Sequence, residues 1–175
     1  MKKALAKIII AAAGIIFLFL AGGIIVKAFQ SNATAKRIAK LPSFSLPTVE
    51  GNIFHSEDIE GGPLLIIYFH PECEHCQFEI SSLIDSDIFS YGVRVILVSY
   101  ASAEAIGIFM KQFIINDKNI QILCDEELKF YELSGMNVIP SNFIYSKDLK
   151  LVKLLKGELK TEVILKYLAC ENQYR

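Results

Sequence analysis

The first 40 residues of the chain lack any acidic side chain, although the sequence contains 19 acidic residues. The same 40 residues carry seven of the 18 basic residues, so the remaining 135 hold 11 basic and all 19 acidic side chains, a net charge of −8. That acidic excess argues against binding of nucleic acid or anionic lipid by residues 41–175. The sequence also lacks repeats and low-complexity tracts, and 53% of its residues are hydrophobic, which excludes a disordered or collagen-like chain.

The acid-free region contains an uncharged stretch of 19 residues, from Ile8 to Val26. As a helix rising about 1.5 Å per residue, it would be about 28 Å long, which matches the hydrocarbon core of a bilayer. Lys2, Lys3 and Lys7 precede it, which predicts a single-pass anchor with a cytoplasmic N-terminus and an extracytoplasmic remainder. A cleaved signal peptide is the alternative, since Val26-Lys27-Ala28 fits a signal-peptidase site. No cysteine lies near the end of the stretch, which excludes a lipidated N-terminus.

These features predict three parts: a membrane anchor or signal segment at 1–29, a polar and basic linker at 30–41, and one globular domain at 42–175. The domain is predicted to lie outside the cytoplasm, either held at the cell membrane or, after cleavage, free in the periplasm or secreted.

Residues 42–175 alternate strand-like and helix-like segments. A hairpin is expected across the turn Glu50-Gly51-Asn52, and Leu64–Phe69 is a continuous apolar run typical of a strand buried on both faces. For the first long helix, Phe78, Leu83 and Ile84 are expected on the buried face. This order predicts an α/β fold with helices on both faces of the sheet. The other expected strands are 93–99, 120–123, 141–145 and 151–155, and the expected helices are 73–85, 103–115, 126–133 and 161–169.

The candidate chemistry lies in Cys73-Glu74-His75-Cys76, which follows the buried strand and opens a helix. Two intervening residues in the first helical turn allow the two sulfurs to meet, and the helix N-terminus stabilises a thiolate at the first cysteine. Zinc sites use the same spacing, but the chain has no second Cys-x-x-Cys pair to complete a four-cysteine site. The pattern therefore predicts Cys73 as the attacking thiolate and Cys76 as the resolving thiol of a mixed disulfide.

Residues 42–79, with the sequence Tyr-Phe-His-Pro-Glu-Cys-Glu-His-Cys-Gln-Phe-Glu at their end, resemble the thioredoxin-fold redoxins. More narrowly, they are similar to the membrane-anchored, extracytoplasmic thiol–disulfide oxidoreductases of the TlpA/ResA kind. Val138-Ile139-Pro140-Ser141 matches the cis-proline loop of that family, which packs against the cysteines and offers backbone to the substrate. The resemblance implies a central mixed sheet, an N-terminal hairpin and one αβ unit inserted into the thioredoxin order.

The activity implied by the resemblance is dithiol–disulfide exchange through a redox-active Cys73–Cys76 disulfide, with no cofactor and no metal. The expected partners are exported protein thiols and disulfides, with reduction as the favoured direction, and an upstream membrane or extracytoplasmic dithiol donor. An acidic domain suits basic protein substrates. The substrate class rests on family analogy.

The sequence departs from the thioredoxin pattern beside the cysteines. The buried acid of thioredoxins, six positions before the first cysteine, is Ile67 here, and the usual tryptophan is Glu72. Glu79 is therefore either a replacement acid/base or a solvated residue on the helix surface. His75 either tunes the thiol or is simply exposed, while Glu72 and Glu74 oppose the thiolate. His70 is expected to orient the loop.

Two other functions compete with exchange. A thiol peroxidase carries Thr or Ser three residues before its reactive cysteine, where this chain has His70, which makes peroxidase activity an unfavoured alternative. A copper- or zinc-binding module using Cys73, Cys76 and a histidine is the other. Cys124 is interpreted as a core residue, with a disulfide to Cys170 left open.

Overall fold

The computed structural model describes residues 34–60, 62–113 and 119–169, together with the single residue Phe19. The chain divides into two compact units, Met1–Lys36 and Arg37–Arg175, and all the elements that form the site belong to the second. Within the described ranges, no helix has both the length and the apolar character needed to cross a membrane. Except for Phe19, the predicted membrane segment at 8–26 lies outside the described residues.

A mixed five-stranded sheet forms the centre of the second unit, with a separate two-stranded hairpin beside it. The strands are β1 (Ser45–Pro47), β2 (Ile53–His55), β3 (Leu64–Phe69), β4 (Arg94–Ser99), β5 (Ile120–Cys124), β6 (Ser141–Tyr145) and β7 (Leu151–Lys156). The sheet order is β5-β4-β3-β6-β7, and β1 pairs with β2 in the hairpin. β3, β4 and β5 are parallel, whereas β6 is antiparallel to β3 and β7 is antiparallel to β6.

Four helices connect or follow these strands: α1 (Glu74–Ile84), α2 (Ala103–Gln112), α3 (Lys129–Ser134) and α4 (Thr161–Ala169). Residues 34–38 are also helical, and short 3₁₀ turns occur at Ser56–Asp58 and Ile88–Tyr91. The predicted alternation and the hairpin with its glycine turn are confirmed, Gly51 having a φ of 87°. The predicted α/β fold, with a central mixed sheet, helices on both of its faces and an N-terminal hairpin, is therefore confirmed.

Strand β3 is central because its side chains are apolar on both faces. Leu65, Ile67 and Phe69 pack into one core with α1, α2 and α4, whereas Leu64, Ile66 and Tyr68 pack into a second core with β1 and α3. All six are essentially inaccessible to solvent. Because the sheet is covered on both sides, the carboxyl end of β3 is a fixed point from which the loop to α1 departs.

Helix α3 begins three residues later than the sequence predicts, and Asp125 explains the difference. Its buried carboxylate accepts hydrogen bonds from the backbone N–H groups of Phe130 and Tyr131, both at 3.0 Å, and from the Tyr68 hydroxyl at 3.2 Å. Leu128, which precedes the helix, adopts a left-handed backbone with a φ of 59°, and its N–H donates to the Asp125 carbonyl. Asp125 thus holds this turn and two tyrosines in place.

One expectation about α1 is wrong: Phe78 is 60% exposed. The buried face of the helix consists of Cys76, Glu79, Ile80 and Leu83, which recur at intervals of three and four residues. Phe78 lies off that stripe. The prediction failed because Glu79, and not the neighbouring Phe78, occupies a buried position.

Candidate active site

The loop between β3 and α1 places Cys73 at the N-terminus of the helix. The Cys73 N–H donates to the His70 carbonyl at 3.1 Å, which closes the turn after β3. Cys73 is the N-cap residue of α1, and its Sγ accepts the Cys76 N–H at 3.4 Å. Its side chain is half-buried and remains open to a partner. A sulfur in this position receives an unpaired backbone donor and the positive end of the helix dipole.

Cys76 lies one turn further along α1 and is fully buried. Burial raises the pKa of its thiol far above the ordinary range, and hydrogen bonding to Cys73 and the charges of Cys73 and Glu79 raise it further. Both cysteines are free thiols in this structure. The two cysteines thus differ in access: Cys73 is partly open to solvent, whereas Cys76 is reached only from within the protein.

Glu79 follows Cys76 by three residues on the same face of α1 and is 1% exposed, so it is not a solvated surface residue. Its Oε2 accepts the Leu159 N–H at 2.6 Å. Burial, aided by the negative charge of Glu158, raises the pKa of Glu79 to about 7, against the lowering effects of the Leu159 N–H and of nearby Asn142. A buried carboxyl with that pKa exchanges protons at neutral pH.

Asn142 is a second polar group buried beside this carboxyl. It lies in β6, opposite Ile67 of β3, and is completely inaccessible to solvent. Among the described residues, neither polar atom of its side chain has a partner with good hydrogen-bond geometry, and the same holds for Oε1 of Glu79. A buried amide and a buried carboxyl thus share one spot in an otherwise apolar core, where a polar group is costly unless it is paired.

His75 contacts a residue that lies 83 positions later in the chain. Its Nδ1 is 2.6 Å from Oε2 of Glu158, in the loop between β7 and α4. The His75 side chain is 74% exposed and that of Glu158 is 35% exposed. The neighbouring residue, Leu159, holds Glu79. The loop therefore contacts α1 twice, once at the surface through His75 and once in the interior through Glu79.

This double contact gives a testable coupling between Glu158 and Glu79. In the Glu158→Gln variant, we expect the pKa of Glu79 to fall, because a negative charge that opposes its ionisation is removed. The free energy of unfolding should change by no more than about 1 kcal/mol, because the His75–Glu158 pair is largely exposed. Titration of the Glu79 carboxyl carbon by NMR measures the first effect. Glu162→Gln, an exposed glutamate of α4, is the control, and an unchanged Glu79 titration in Glu158→Gln would contradict the coupling.

His70 and Tyr100 form the other side of the site. Nδ1 of His70 accepts the Glu72 N–H at 3.3 Å, so this histidine orients the loop as expected. Its ring lies 4.8 Å from that of Tyr100, measured between centroids. Burial raises the pKa of the Tyr100 phenol, and so do the charges of Cys76 and Cys73.

The remaining predicted residues are distributed around Cys73. Glu74 is exposed in the first turn of α1. The Ile139–Pro140 peptide bond is cis, and Ile139 packs against the same core cluster as Cys73.

The other two cysteines lie apart from this pair. Cys124 is a buried free thiol within the core, and its pKa is raised by burial and by the charges of Glu126 and Glu50. Cys170 lies outside the described residues. In the part of the chain that the structure describes, no three His, Cys, Asp or Glu side chains are grouped to hold a metal ion.

Sequence reasoning did not find Glu158, the Leu159 N–H, Asn142 or Tyr100. The first two lie about 80 residues after α1 in the chain, and no local pattern connects them to it. Asn142 carries a usable signal, since it directly precedes the apolar run Phe143-Ile144-Tyr145 in a strand that is expected to be central, where an amide becomes buried.

Comparison with known proteins agrees with this geometry. Residues 39–154 match the model of the AhpC/TSA family. The chain belongs to the AhpC/TSA family. Over 163 residues it is 23% identical to the thiol-disulfide oxidoreductase ResA of Bacillus thuringiensis, an alignment that covers 88% of this chain and 91% of ResA. It is 22% identical over 130 residues to ResA of Bacillus subtilis, covering 73% and 71% of the two chains.

Solved structures support the fold of this AhpC/TSA member. StoA from Bacillus subtilis superimposes with a TM-score of 0.56 at 17% identity, covering 74% of this chain and 98% of StoA. DsbF of Mycobacterium tuberculosis superimposes with a TM-score of 0.63 at 19% identity, covering 75% and 94%. The predicted resemblance to thioredoxin-fold redoxins of the ResA kind is confirmed, and the relatives belong to the predicted enzyme class, the thiol–disulfide oxidoreductases.

Proposed function

We propose that this protein is a thiol–disulfide oxidoreductase that reduces disulfides of exported proteins through Cys73 and Cys76. The observation that carries the proposal is the arrangement of a half-buried Cys73 at a helix N-terminus above a fully buried Cys76 and Glu79. The kinship with ResA proteins supports it.

The reaction consists of two thiol–disulfide exchanges. The Cys73 thiolate attacks one sulfur of a substrate disulfide, whose S–S bond breaks as the Cys73–substrate bond forms, and the leaving thiolate takes up a proton. Cys76 then loses its proton and attacks Sγ of Cys73, which releases the second substrate thiol. The substrate gains two electrons and two protons, and the protein is left with a Cys73–Cys76 disulfide. An upstream dithiol donor returns it to the dithiol state by the same steps in reverse.

Glu79 receives the proton that Cys76 has to lose. Because burial raises the pKa of the Cys76 thiol, the second exchange needs a base inside the protein. Glu79 lies on the same helical face, and its Oε1 has no other partner among the described residues. With a pKa of about 7, it is ionised often enough to accept a proton and protonated often enough to return one.

His75, Glu74 and the Ile139–Pro140 loop shape the surface that the substrate meets. His75 is held by Glu158, and the charge of Glu74 lies in the same turn as Cys73. As the resemblance to the redoxins implies, the cis-proline loop at residues 138–140 offers its backbone to an extended substrate segment.

The domain acts outside the cytoplasm, attached to the cell membrane by residues 8–26. Support comes from the length and apolarity of that stretch, from the lysines before it and from the ResA relatives. A cleaved signal at 1–29 would leave the same domain at 42–175 free of the membrane.

The direction of exchange is tested by the reduction potential of the Cys73–Cys76 pair, measured by equilibration with dithiothreitol or glutathione buffers. A reductase should have a potential well below that of the strong oxidant DsbA, which is about −120 mV. A value near −120 mV would contradict the proposed direction while leaving the exchange chemistry intact.

A further inference from the structure

A group of basic side chains lies at the edge of the sheet opposite the redox-active cysteines. Tyr145, the last residue of β6, pairs with Leu64 at the start of β3, whereas Cys73 follows the far end of that strand. The turn 146–150 between β6 and β7 is therefore separated from the loop that carries Cys73 by the length of β3. Six strand residues that rise about 3.3 Å each span about 20 Å.

Two lysines face each other at this edge. Lys40 forms an isolated antiparallel bridge with Lys150. The two hydrogen bonds that flank the bridge join backbone groups of the neighbouring residues, at 2.8 and 2.9 Å, and not those of the lysines. In such a pair the Cα atoms are about 4.5 Å apart and the side chains approach most closely. Like charges directly opposite each other destabilise a strand pair, so this arrangement has a cost in the isolated domain.

No acidic side chain offsets this repulsion within the described part of the chain. Lys40, Lys147 and Lys150 are exposed, and no described carboxylate lies within ion-pair distance of them. With Arg37 they form what we call the basic surface, and Asp148 is the only acidic residue in segments 37–41 and 146–150. The surface is thus a local exception to the net charge of −8 that residues 41–175 carry.

The turn holds its lysines in place. The hydroxyl of the buried Ser146 accepts the N–H groups of Asp148 and Lys150, at 3.2 and 3.1 Å, and the Ser146 N–H donates to the Lys150 carbonyl at 2.8 Å. Leu149 has a left-handed backbone with a φ of 58°, which is uncommon for a residue with a side chain, and it packs against the second core. On the facing segment, Ile38 is 2% exposed in the same core. The basic side chains are therefore presented by a fixed backbone.

An anionic membrane surface is the partner that fits this position in the chain. Arg37 follows the end of the predicted membrane segment 8–26 by eleven residues, which reach at most about 40 Å when fully extended. Basic residues close to a membrane anchor are attracted to anionic lipid headgroups. The tether keeps the basic surface near such headgroups, whereas no feature of the chain would concentrate a soluble polyanion there.

We infer that the basic surface contacts anionic lipid headgroups and directs Cys73 away from the bilayer. The inference rests on the proposed attachment of the chain to the membrane and adds the orientation of the domain to it. Headgroup phosphates supply the negative charge that the facing lysines Lys40 and Lys150 lack within the domain. Cys73, at the other end of β3, is then open to exported proteins.

The test is the rate at which each lysine of the full-length chain reacts with an acetylating reagent, followed by mass spectrometry. The chain is reconstituted into vesicles of phosphatidylcholine, alone or mixed with phosphatidylglycerol. Acetylation of Lys40, Lys147 and Lys150 should be at least about fivefold slower in the anionic vesicles, the factor that corresponds to the attraction of one lysine to an anionic surface. Lys160 is the internal control, because it is exposed between β7 and α4 at the edge that carries Cys73. Its rate should be the same in both vesicles, since the surface potential decays within about 10 Å.

A charge-reversed variant tests whether the basic surface acts as a unit. In Lys40→Glu/Lys150→Glu, which keeps the like-charge pair but changes its sign, Lys147 should lose its protection in anionic vesicles. Lys160→Glu is the matched control and should retain it. Equal acetylation of Lys147 in both vesicles by the parent chain, or protection that persists in the charge-reversed variant, would overturn the inference and leave the attachment standing. A chain that sediments with neither kind of vesicle would instead contradict the proposed attachment.

A soluble polyanion is distinguished from lipid by competition. Heparin added to the phosphatidylcholine vesicles should protect the lysines of the basic surface less than phosphatidylglycerol does. Equal protection by heparin would assign the basic surface to a soluble polyanion and overturn the inference.

Discussion

Replacing Cys73 with serine is expected to lower the rate of disulfide reduction by at least about a thousandfold. The hydroxyl of serine has no accessible ionised form at neutral pH, and Cys76 is fully buried and cannot meet a protein disulfide in its place. Turnover of glutathione disulfide or insulin, followed with a dithiol as the electron source, measures this effect.

Cys76→Ser should lose turnover to a similar extent but for another reason. Cys73 still attacks, and the product stops at the mixed disulfide because no resolving thiol remains. Cys124→Ser is the matched control, since this third free thiol lies in the core and takes no part in exchange. Activity surviving in Cys73→Ser, or lost in Cys124→Ser, would show that the reacting sulfur has been assigned to the wrong residue.

Replacing Glu79 with glutamine is expected to stabilise the domain more at pH 8 than at pH 4. The difference in the free energy of unfolding between the variant and the parent chain should be about 3 kcal/mol more favourable at pH 8. The pKa of Glu79 is about 7 in the folded chain, against an ordinary value of 4.5. Between these two values the folded state keeps the proton while the unfolded state loses it, so the free energy of unfolding falls as pH rises from about 4.5 to about 7. Each pKa unit corresponds to about 1.4 kcal/mol.

Urea unfolding of the parent chain and of Glu79→Gln across this pH range measures the difference. Glu74→Gln is the control, because Glu74 is an exposed glutamate of the same helix. A stability difference that does not grow with pH would contradict the raised pKa of Glu79.

The same substitution should impair catalysis although it stabilises the fold. Glutamine accepts the Leu159 N–H through its oxygen, but it cannot take the proton of Cys76. The first exchange at Cys73 should proceed, and the second should slow by about a hundredfold, which is the usual range for a lost general base. Stopped-flow measurements on one turnover separate the two steps, and equal slowing of both would contradict the assigned role.

The fold was largely predictable because the hydrophobic pattern of its core strands identifies them without knowledge of the tertiary structure. The run Leu64–Phe69 is apolar on both faces, and only a sheet with helices on both sides buries such a strand. Helix α4 begins where its pattern predicts, at Thr161. The start of α3 was not predictable, because it depends on the side chain of Asp125 and on a left-handed leucine, neither of which alters the hydrophobic pattern.

The site was predictable only where it is local in sequence. The motif that marks both cysteines and the start of their helix spans only four residues, Cys73 to Cys76. The role of Glu79 was left open, because its burial depends on Leu159 and on Asn142, which reach α1 through the tertiary fold. Likewise, Tyr68, Tyr100 and Tyr131 are distant in sequence, and only the tertiary fold brings the Tyr68 ring to 5.9 Å from that of Tyr100 and 6.3 Å from that of Tyr131.

The central claim is that Cys73 attacks and Cys76 resolves, and intact-protein mass spectrometry of trapped mixed disulfides tests it most directly. After incubation of the reduced Cys76→Ser chain with a glutathionylated peptide, we predict one covalent adduct, released by dithiothreitol and mapped to Cys73 after digestion. The Cys73→Ser chain should form no such adduct at Cys76 on the same timescale. An adduct at Cys76 in Cys73→Ser, with none at Cys73 in Cys76→Ser, would contradict the assignment.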